Sequence, residues 1–328
     1  MIGVYGHYEY LRHCIESALA QPSGLTEIII VDDGSPDPRV AQLLSEYGRS
    51  NHDRIKLYLR KKNKGIITIW NKMIDYANGE YLVFLDCDDF LSSDAIYTVD
   101  RIITATSPSP AYLFSDRRYV DADEKLLSVS HYAVSHEIID HVDHANNLLI
   151  EMLATHLKVI KKASLLEIGG FDDASSGVQD YDIALKMSEK YKLQYIDKPL
   201  YNYRIHPNTV TNSKRTDQHI RSGMVLRDAL RRRGEEKLKS GRVYVNERSV
   251  SEDEVSQFLA YQRLGLEVNV HITNHNNFTS IIPKIGLIDR IFADDLIYKE
   301  VEKELEMLLD RSYIVLEPSS KMPVESFF

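Results

Sequence analysis

Through its first hundred residues the chain alternates between two textures. Short unbroken apolar runs give way to stretches in which apolar side chains return every three or four positions. The first texture belongs to strands buried on both faces, the second to helices with one face on a core. Residues 10–20 read as a helix. Ile28 to Val31 is an apolar run ending in Asp32-Asp33-Gly34-Ser35, a buried strand followed by a turn. Val40, Leu43, Leu44 and Tyr47 keep a helical period behind Asp37, a residue suited to capping. Ile55 to Leu59 is the next strand. Ile66, Ile69, Trp70, Met73, Ile74 and Ala77 form one helical stripe, which Asn78-Gly79 ends. Tyr81 to Leu85 is a strand running into Asp86-Cys87-Asp88-Asp89. Ser92 or Ser93 is then placed to cap a helix with Ile96, Val99 and Ile103 on its core side. Strand alternating with helix predicts an α/β fold, a mostly parallel sheet flanked by helices. In such sheets ligands gather at the carboxyl ends of the strands, where both acidic clusters, 32–33 and 86–89, sit.

Ser107-Pro108-Ser109-Pro110 punctuates the chain before a strand at 111–114. His131, His136, His141, His144 and His156 follow. Their spacing fits no common zinc pattern and no cysteine lies near, so they read as scattered surface or cleft histidines. Residues 157–213 continue the first unit. Beyond Lys214, Arg231-Arg232-Arg233 and Glu235-Glu236-Lys237 form a charged, solvated helix or linker. A strand at 243–245, a helix at 252–264 and a strand at 266–272 come next. An acidic helix carries Val301, Leu305, Leu308 and Leu309, and Tyr313 to Leu316 is a last strand. A chain of 328 residues exceeds what one core normally serves. The expected division is a nucleotide-binding unit over 1–214 and a small C-terminal α/β appendage over 215–328.

Composition narrows the classes. Hydrophobic residues make up 43% and charged residues 27%, as in soluble globular proteins. Twenty tyrosines against one tryptophan suit half-buried sheet faces more than sugar-sized clefts. A net charge of -9 excludes a general nucleic-acid surface, though not a nucleotide held through a cation. Cys14 and Cys87 are too few for a disulfide framework or a zinc cluster, which implies a reducing compartment. No run has the 18 apolar residues of a membrane span, and Met-Ile-Gly-Val-Tyr-Gly-His is no signal peptide. The expected location is the cytoplasm, with peripheral contact at the inner face of the membrane left open.

Four constellations carry candidate chemistry, each with a plainer alternative. Asp86, Asp88 and Asp89 repel one another unless a cation is shared; a solvated acidic turn is the alternative. Asp32 and Asp33 end a strand where a carboxylate accepts a base N–H, or merely holds its own turn. Gly169-Gly170-Phe171-Asp172-Asp173 leads to Gly177 and on to Gln179-Asp180-Tyr181-Asp182 at a helix start. There Asp180 is a general base or a helix-dipole partner. Tyr201 to His206 alternates as a strand ending in Arg204 and His206, a diphosphate and metal pair or a surface pair.

In their order these blocks resemble the family 2 glycosyltransferases of the GT-A fold, over roughly residues 2–213. The family's Ser-x-x-x-Gln stands here as Ser17 to Gln21, and its Val-Asp-Asp-Gly-Ser as Val31 to Ser35. Its Asn-x-Gly is Asn63 to Gly65, and its Gly-Glu-Tyr-x-x-Phe-Leu-Asp-x-Asp-Asp is Gly79 to Asp89. Its Gly-Gly-Phe-Asp is Gly169 to Asp172, its Glu-Asp is Gln179-Asp180, and its Tyr-Arg-x-His is Tyr203 to His206. The resemblance implies an inverting, metal-dependent transferase that moves a sugar from a nucleotide-diphosphate donor, first of all a UDP-sugar, to a hydroxyl. Tyr5, Asp32 and Asp33 would meet the nucleoside. Asp86, Asp88, Asp89 and His206 would hold Mg²⁺ or Mn²⁺, with Asp86 and Arg204 near the diphosphate, and Asp180 would be the base. Two departures stand out: Gln179 replaces a Glu, and Gly3-Val4-Tyr5-Gly6 replaces Pro-x-Tyr-Asn, with the strand before it expected to be almost absent.

Two other readings are set against this one. A nucleotidyltransferase would show a Gly-rich basic phosphate loop, which Gly3 and Gly6 without a lysine do not supply. A catalytically silent nucleotide-sugar scaffold would keep the fold and lack donor affinity. The sequence does not specify the sugar, whether the acceptor is a glycan, lipid-linked or a protein, the oligomeric state, or what the appendage does.

Overall fold

A computed structural model of the chain describes residues 1–50, 53–130, 148, 154–207, 215–233, 242–246, 267–272, 290–293, 297–308 and 315–318. Two compact units emerge: Met1–Leu148 with Met152–Thr209, and Leu149–Glu151 with Val210–Phe328.

The first half of the first unit is the expected alternation: β1 (Ile2–Val4), α1 (Tyr8–Leu19), β2 (Ile28–Asp32), α2 (Pro38–Ser50), β3 (Ile55–Leu59), α3 (Ile66–Tyr76) and β4 (Tyr81–Asp86). These strands pair in parallel in the order β3-β2-β1-β4. Every residue of β2 is buried, as its apolar run requires. The first strand, expected almost to vanish, has three residues and lies between two neighbours, with Ile2 beside Ile30 and Leu85. Pairing on both sides satisfies its backbone groups and holds so short a segment in place. Gly3 lets α3 approach it, since a Cβ there would meet Ile69 and Ile66 at 2.8 and 2.9 Å.

The second half breaks the alternation. It comprises β5 (Phe90–Leu91), α4 (Ala95–Ala105), β6 (Tyr112–Val120), β7 (Leu126–Ser130), β8 (Lys158–Lys161), α5 (Lys162–Glu167), α6 (Gln179–Lys190) and β9 (Leu193–Arg204). The sheet continues β4-β8-β6-β9-β5, with β7 on β6. Because β8 runs antiparallel to β4, its first residue, Lys158, lies opposite Phe84 near the carboxyl end of β4. Phe90 of β5 pairs with Asn202, which brings the end of β9 to the same edge. One core of Ile2, Ile15, Ile30, Leu85, Leu113 and Val159 runs beneath both halves.

Ser17 and Gln21 explain their own spacing. Ser17 accepts Leu91 N–H, while Gln21 donates to the Ser17 and Ser92 carbonyls and accepts Ile96 N–H. The end of α1 is thereby clamped to the chain that leaves the second acidic cluster. Neither Ser92 nor Ser93 is the α4 cap. Asp94 holds that position without a side-chain capping bond, its carboxylate accepting from Lys198, and Ser92 Oγ binds the Pro199 carbonyl and Arg118.

The second unit contains α7 (Arg215–Arg232), β10 (Arg242–Asn246), β11 (Glu267–Ile272), β12 (Arg290–Ala293), α8 (Tyr298–Leu308) and β13 (Val315–Pro318). Its strands form a parallel sheet in sequential order. The helix expected at 252–264, the charged residues 235–237, and His131, His136, His141 and His144 lie outside the described residues. Among the described residues no helix is long and apolar enough to cross a membrane.

Candidate functional site

The first acidic cluster closes the turns after β1, β2 and β3 on one another. Asp32 Oδ1 accepts from Ser35 N–H at 3.0 Å and Ser35 Oγ at 2.6 Å, and that hydroxyl accepts from Gly6 N–H at 2.9 Å. Asp33 Oδ2 accepts the N–H groups of Lys64 and Gly65, both at 2.8 Å. Gly34 sits at φ +73°, and a Cβ there would come within 2.9 Å of Lys62 N, so only glycine lets the loop seat. Asp33 Oδ1 is buried, has no hydrogen-bond partner among the described residues and lies 3.7 Å from Arg60 Nε. A buried acceptor of this kind takes an N–H donor. Tyr5 precedes Gly6, whose N–H reaches Ser35, and is half exposed.

The second cluster ends β4. Burial pushes Asp86 up to about 6, helped by the charges of Asp180 and Asp88 and opposed by Lys158. Burial also acts against ionisation of Asp88, but a 3.0 Å contact between its Oδ2 and His206 Nε2, together with nearby His7, outweighs it. The Asp88 carboxyl lies below its ordinary range. Asp89 is buried, and its oxygens accept from Tyr201 O–H and Arg204 N–H, each at 2.7 Å. Burial, with Asp88 and Asp86 alongside, pushes it well up.

Arg204, placed near the diphosphate by the sequence, is committed to protein partners here. Its side chain is 1% exposed and donates to the carbonyls of Asp88 (2.8 Å) and Ala122 (3.1 Å) and to Glu124 Oε1 (3.1 Å). Its guanidinium also covers the Tyr10 and Phe90 rings. It is a brace that fixes the backbone of Asp88.

Asp180 is the second residue of α6, and its Oδ1 accepts from Lys158 Nζ at 2.7 Å. Its Oδ2 has no hydrogen bond among the described residues. Lys158 is 1% exposed and lies 5.0 Å from the Trp70 ring centroid. Burial would lower its pKa, yet the charges of Asp180 and Asp86 raise it overall. Gln179, in place of Glu, accepts Gly177 N–H at 2.7 Å and tightens the turn into α6. Asp182 is buried and pairs with Lys186 at 2.7 Å, which leaves Asp180 as the carboxylate at this helix start with an open oxygen.

Two groups of side chains have the spacing to hold a cation: His7, Asp88 and His206, and separately Asp86, Asp89 and His156, each with one donor atom per residue within 4.8 Å of the others. The sequence points to Asp86, Asp88, Asp89 and His206 as one set; the fold divides them between two. The first group fits a divalent ion, because it converges one carboxylate and two imidazoles, donor types that such ions take. In the second, Asp89 is spent on Tyr201 and Arg204, and Arg117 reaches His156 Nδ1 at 2.8 Å. Four residues here were not singled out by sequence reading for any role: His7, His156, Lys158 and Tyr201. Lys158 carries no local signal, since His-Leu-Lys-Val-Ile-Lys simply reads as a strand.

The family model described as Glycosyl transferase family 2 matches residues 1–168. Chondroitin synthase of Escherichia coli is 29% identical over 239 residues, covering 73% of this chain and 33% of that protein. Hyaluronan synthase of Pasteurella multocida is 26% identical over 239 residues, covering 71% of this chain and 23% of that protein. The chain thus spans a third or less of the length of these two relatives. Among solved structures, S. aureus TarS 1-349 in complex with UDP-GlcNAc has a TM-score of 0.57 at 17% identity, covering 80% of this chain and 70% of that one. The mannosyltransferase PcManGT from Pyrobaculum calidifontis, in complex with GDP-Man and Mn²⁺, has a TM-score of 0.52 at 14% identity, covering 87% and 72%. At such identities the two structures speak for the fold alone.

Proposed function

Since this chain belongs to glycosyl transferase family 2 and has the GT-A fold, we propose that it moves a sugar from a UDP-sugar to a hydroxyl of a growing glycan, with inversion at the anomeric carbon. The observation that carries this reading is the state of Asp180: one oxygen is fixed by Lys158, the other is open, and the side chain is an electrostatic neighbour of Asp86. A carboxylate fixed by one oxygen and open at the other is positioned to take a proton from a hydroxyl bound beside it.

In this reading Asp33 Oδ1 and Asp32 meet the N–H edge of the base, with Tyr5 beside them. Asp88 and His206 hold a divalent cation, with Asp86 close by. When bound, that ion neutralises charge on the departing diphosphate. Asp180 Oδ2 takes the acceptor proton as the acceptor oxygen bonds to the anomeric carbon and the bond from that carbon to the diphosphate oxygen breaks. UDP leaves and Asp180 is left neutral. Lys158 keeps Asp180 in place until then, and Arg204 keeps Asp88 in place. Support for a polysaccharide acceptor comes from the two relatives, whose names are those of glycosaminoglycan synthases.

The test pairs binding with turnover. Asp180→Asn should lower transfer by about 10³-fold while calorimetry with UDP and Mn²⁺ is unchanged. Retained transfer would remove Asp180 from the base role. A wild type that binds no nucleotide would favour the silent scaffold.

A further inference from the structure

His7 stands in the turn between β1 and α1 at φ 55° and ψ 36°, a left-handed conformation that side-chain-bearing residues seldom adopt. It occupies the N-cap position of α1, yet its side chain makes no capping bond. Its carbonyl accepts from Tyr10 and Leu11 N–H, so the backbone does the work of starting the helix. The imidazole turns instead toward the end of β9. Its ring lies edge-on to that of His206, with centroids 5.2 Å apart, and Tyr10 packs on the other ring contact of His206 at 4.8 Å. A backbone held in an unfavourable region while its side chain serves no local purpose is an arrangement found at functional sites. Here the purpose is visible in the distances, because a His7 nitrogen joins Asp88 and His206 within 4.8 Å.

We infer that His7 is a third protein ligand of the cation, so that the ion is held by two imidazoles and one carboxylate. This rests on the proposed metal-dependent transfer and specifies its site. The donor set has a consequence for ion choice. Mg²⁺ favours oxygen ligands and gives up its water reluctantly, whereas first-row transition ions take imidazole nitrogen more readily, Mn²⁺ least among them but still more than Mg²⁺. A site with two imidazoles therefore takes Mn²⁺ or Co²⁺ ahead of Mg²⁺, and the remaining positions are left to water and donor phosphate oxygens. The ion would also tie the turn after β1 to the end of β9.

The experiment titrates the full chain with Mn²⁺ in the presence of UDP, following free Mn²⁺ by electron paramagnetic resonance. It is repeated for His7→Asn, because asparagine tolerates the left-handed backbone and removes the imidazole. The expected result is a loss of Mn²⁺ affinity of tenfold or more, with Mg²⁺ competition altered far less. Equal Mn²⁺ affinity in wild type and His7→Asn would overturn the assignment while leaving the metal reading intact. No Mn²⁺ binding by wild type would overturn both. Spin-echo modulation on the wild type needs no variant to fold: two imidazole nitrogens on bound Mn²⁺ support the assignment, and one alone overturns it.

Discussion

The two acidic clusters look alike in sequence and are opposite in physics. At Asp32 and Asp33 the carboxylates are absorbed into backbone, with Ser35, Lys64 and Gly65 donating to them. At Asp86 to Asp89 the carboxylates face one another, and the compensation comes from Lys158, His206 and the β9 backbone, residues remote in sequence. The first cluster is a structural element with one open acceptor. The second is held in an electrostatically expensive state that a bound cation would relieve. Carboxylates at strand ends are therefore not equivalent evidence for a metal; what faces them decides.

The comparison breaks most visibly at Lys158. Removing one partner of a buried ion pair strands the other charge. Lys158→Met should lower unfolding free energy by about 2–4 kcal/mol at pH 7, and adding Asp180→Asn should recover a large part of that. Urea denaturation of the two single variants and the double variant checks both halves. Additive losses would mean that the two side chains do not depend on each other.

At the first cluster the expected damage is mechanical. Gly34→Ala places a Cβ against the Lys62 backbone at positive φ. It should cost about 1–3 kcal/mol and weaken UDP binding together with stability. A stable Gly34→Ala protein with full UDP affinity would show that the loop does not need this close seating.

Asp86→Asn gives the smallest effect, and its sign is the informative part. The folded protein raises this carboxyl to about 6, above the value of a free aspartate, so the fold holds the proton more tightly than the unfolded chain does. The contribution of Asp86 to stability is therefore present at low pH and is lost as pH rises toward and through about 6. At pH 7 the substitution should stabilise the metal-free protein by about 1–2 kcal/mol, the reverse of Gly34→Ala. Thermal melts at pH 4.5 and 7 test this, and a destabilised Asp86→Asn at pH 7 would mean that Lys158 outweighs burial.

Legibility in the sequence follows the same division. The half built of β1 to β4 and α1 to α3 could be read because each element carries its own period, and parallel neighbours come in chain order apart from β4, which joins the other edge of β1. The other half could be read only in part, through the stripe of α4, the start of α6 and the end of β9. The strand expected at 111–114 runs from Tyr112 to Val120, and the hairpin partner β7 and the full length of β9 have no periodic signature. Pairings such as Phe84 with Lys158 link residues 74 positions apart, and no local pattern announces them. The same limit governed the site. Asp88 and His206 were nameable as members of motifs. His7 and Lys158 acquire chemistry only from neighbours that folding brings to them, and the partners of Arg204, Asp88 and Glu124, are equally remote in sequence.

Trp70 is the one tryptophan of the chain. It is buried between Phe84 and Phe171, with the Lys158 ammonium over its ring. The protein thus carries an intrinsic fluorophore directly beneath the charge that steadies Asp180. Its emission, read without any label, would register each event that moves or neutralises that ammonium, and a stopped-flow trace could time those events within a single turnover.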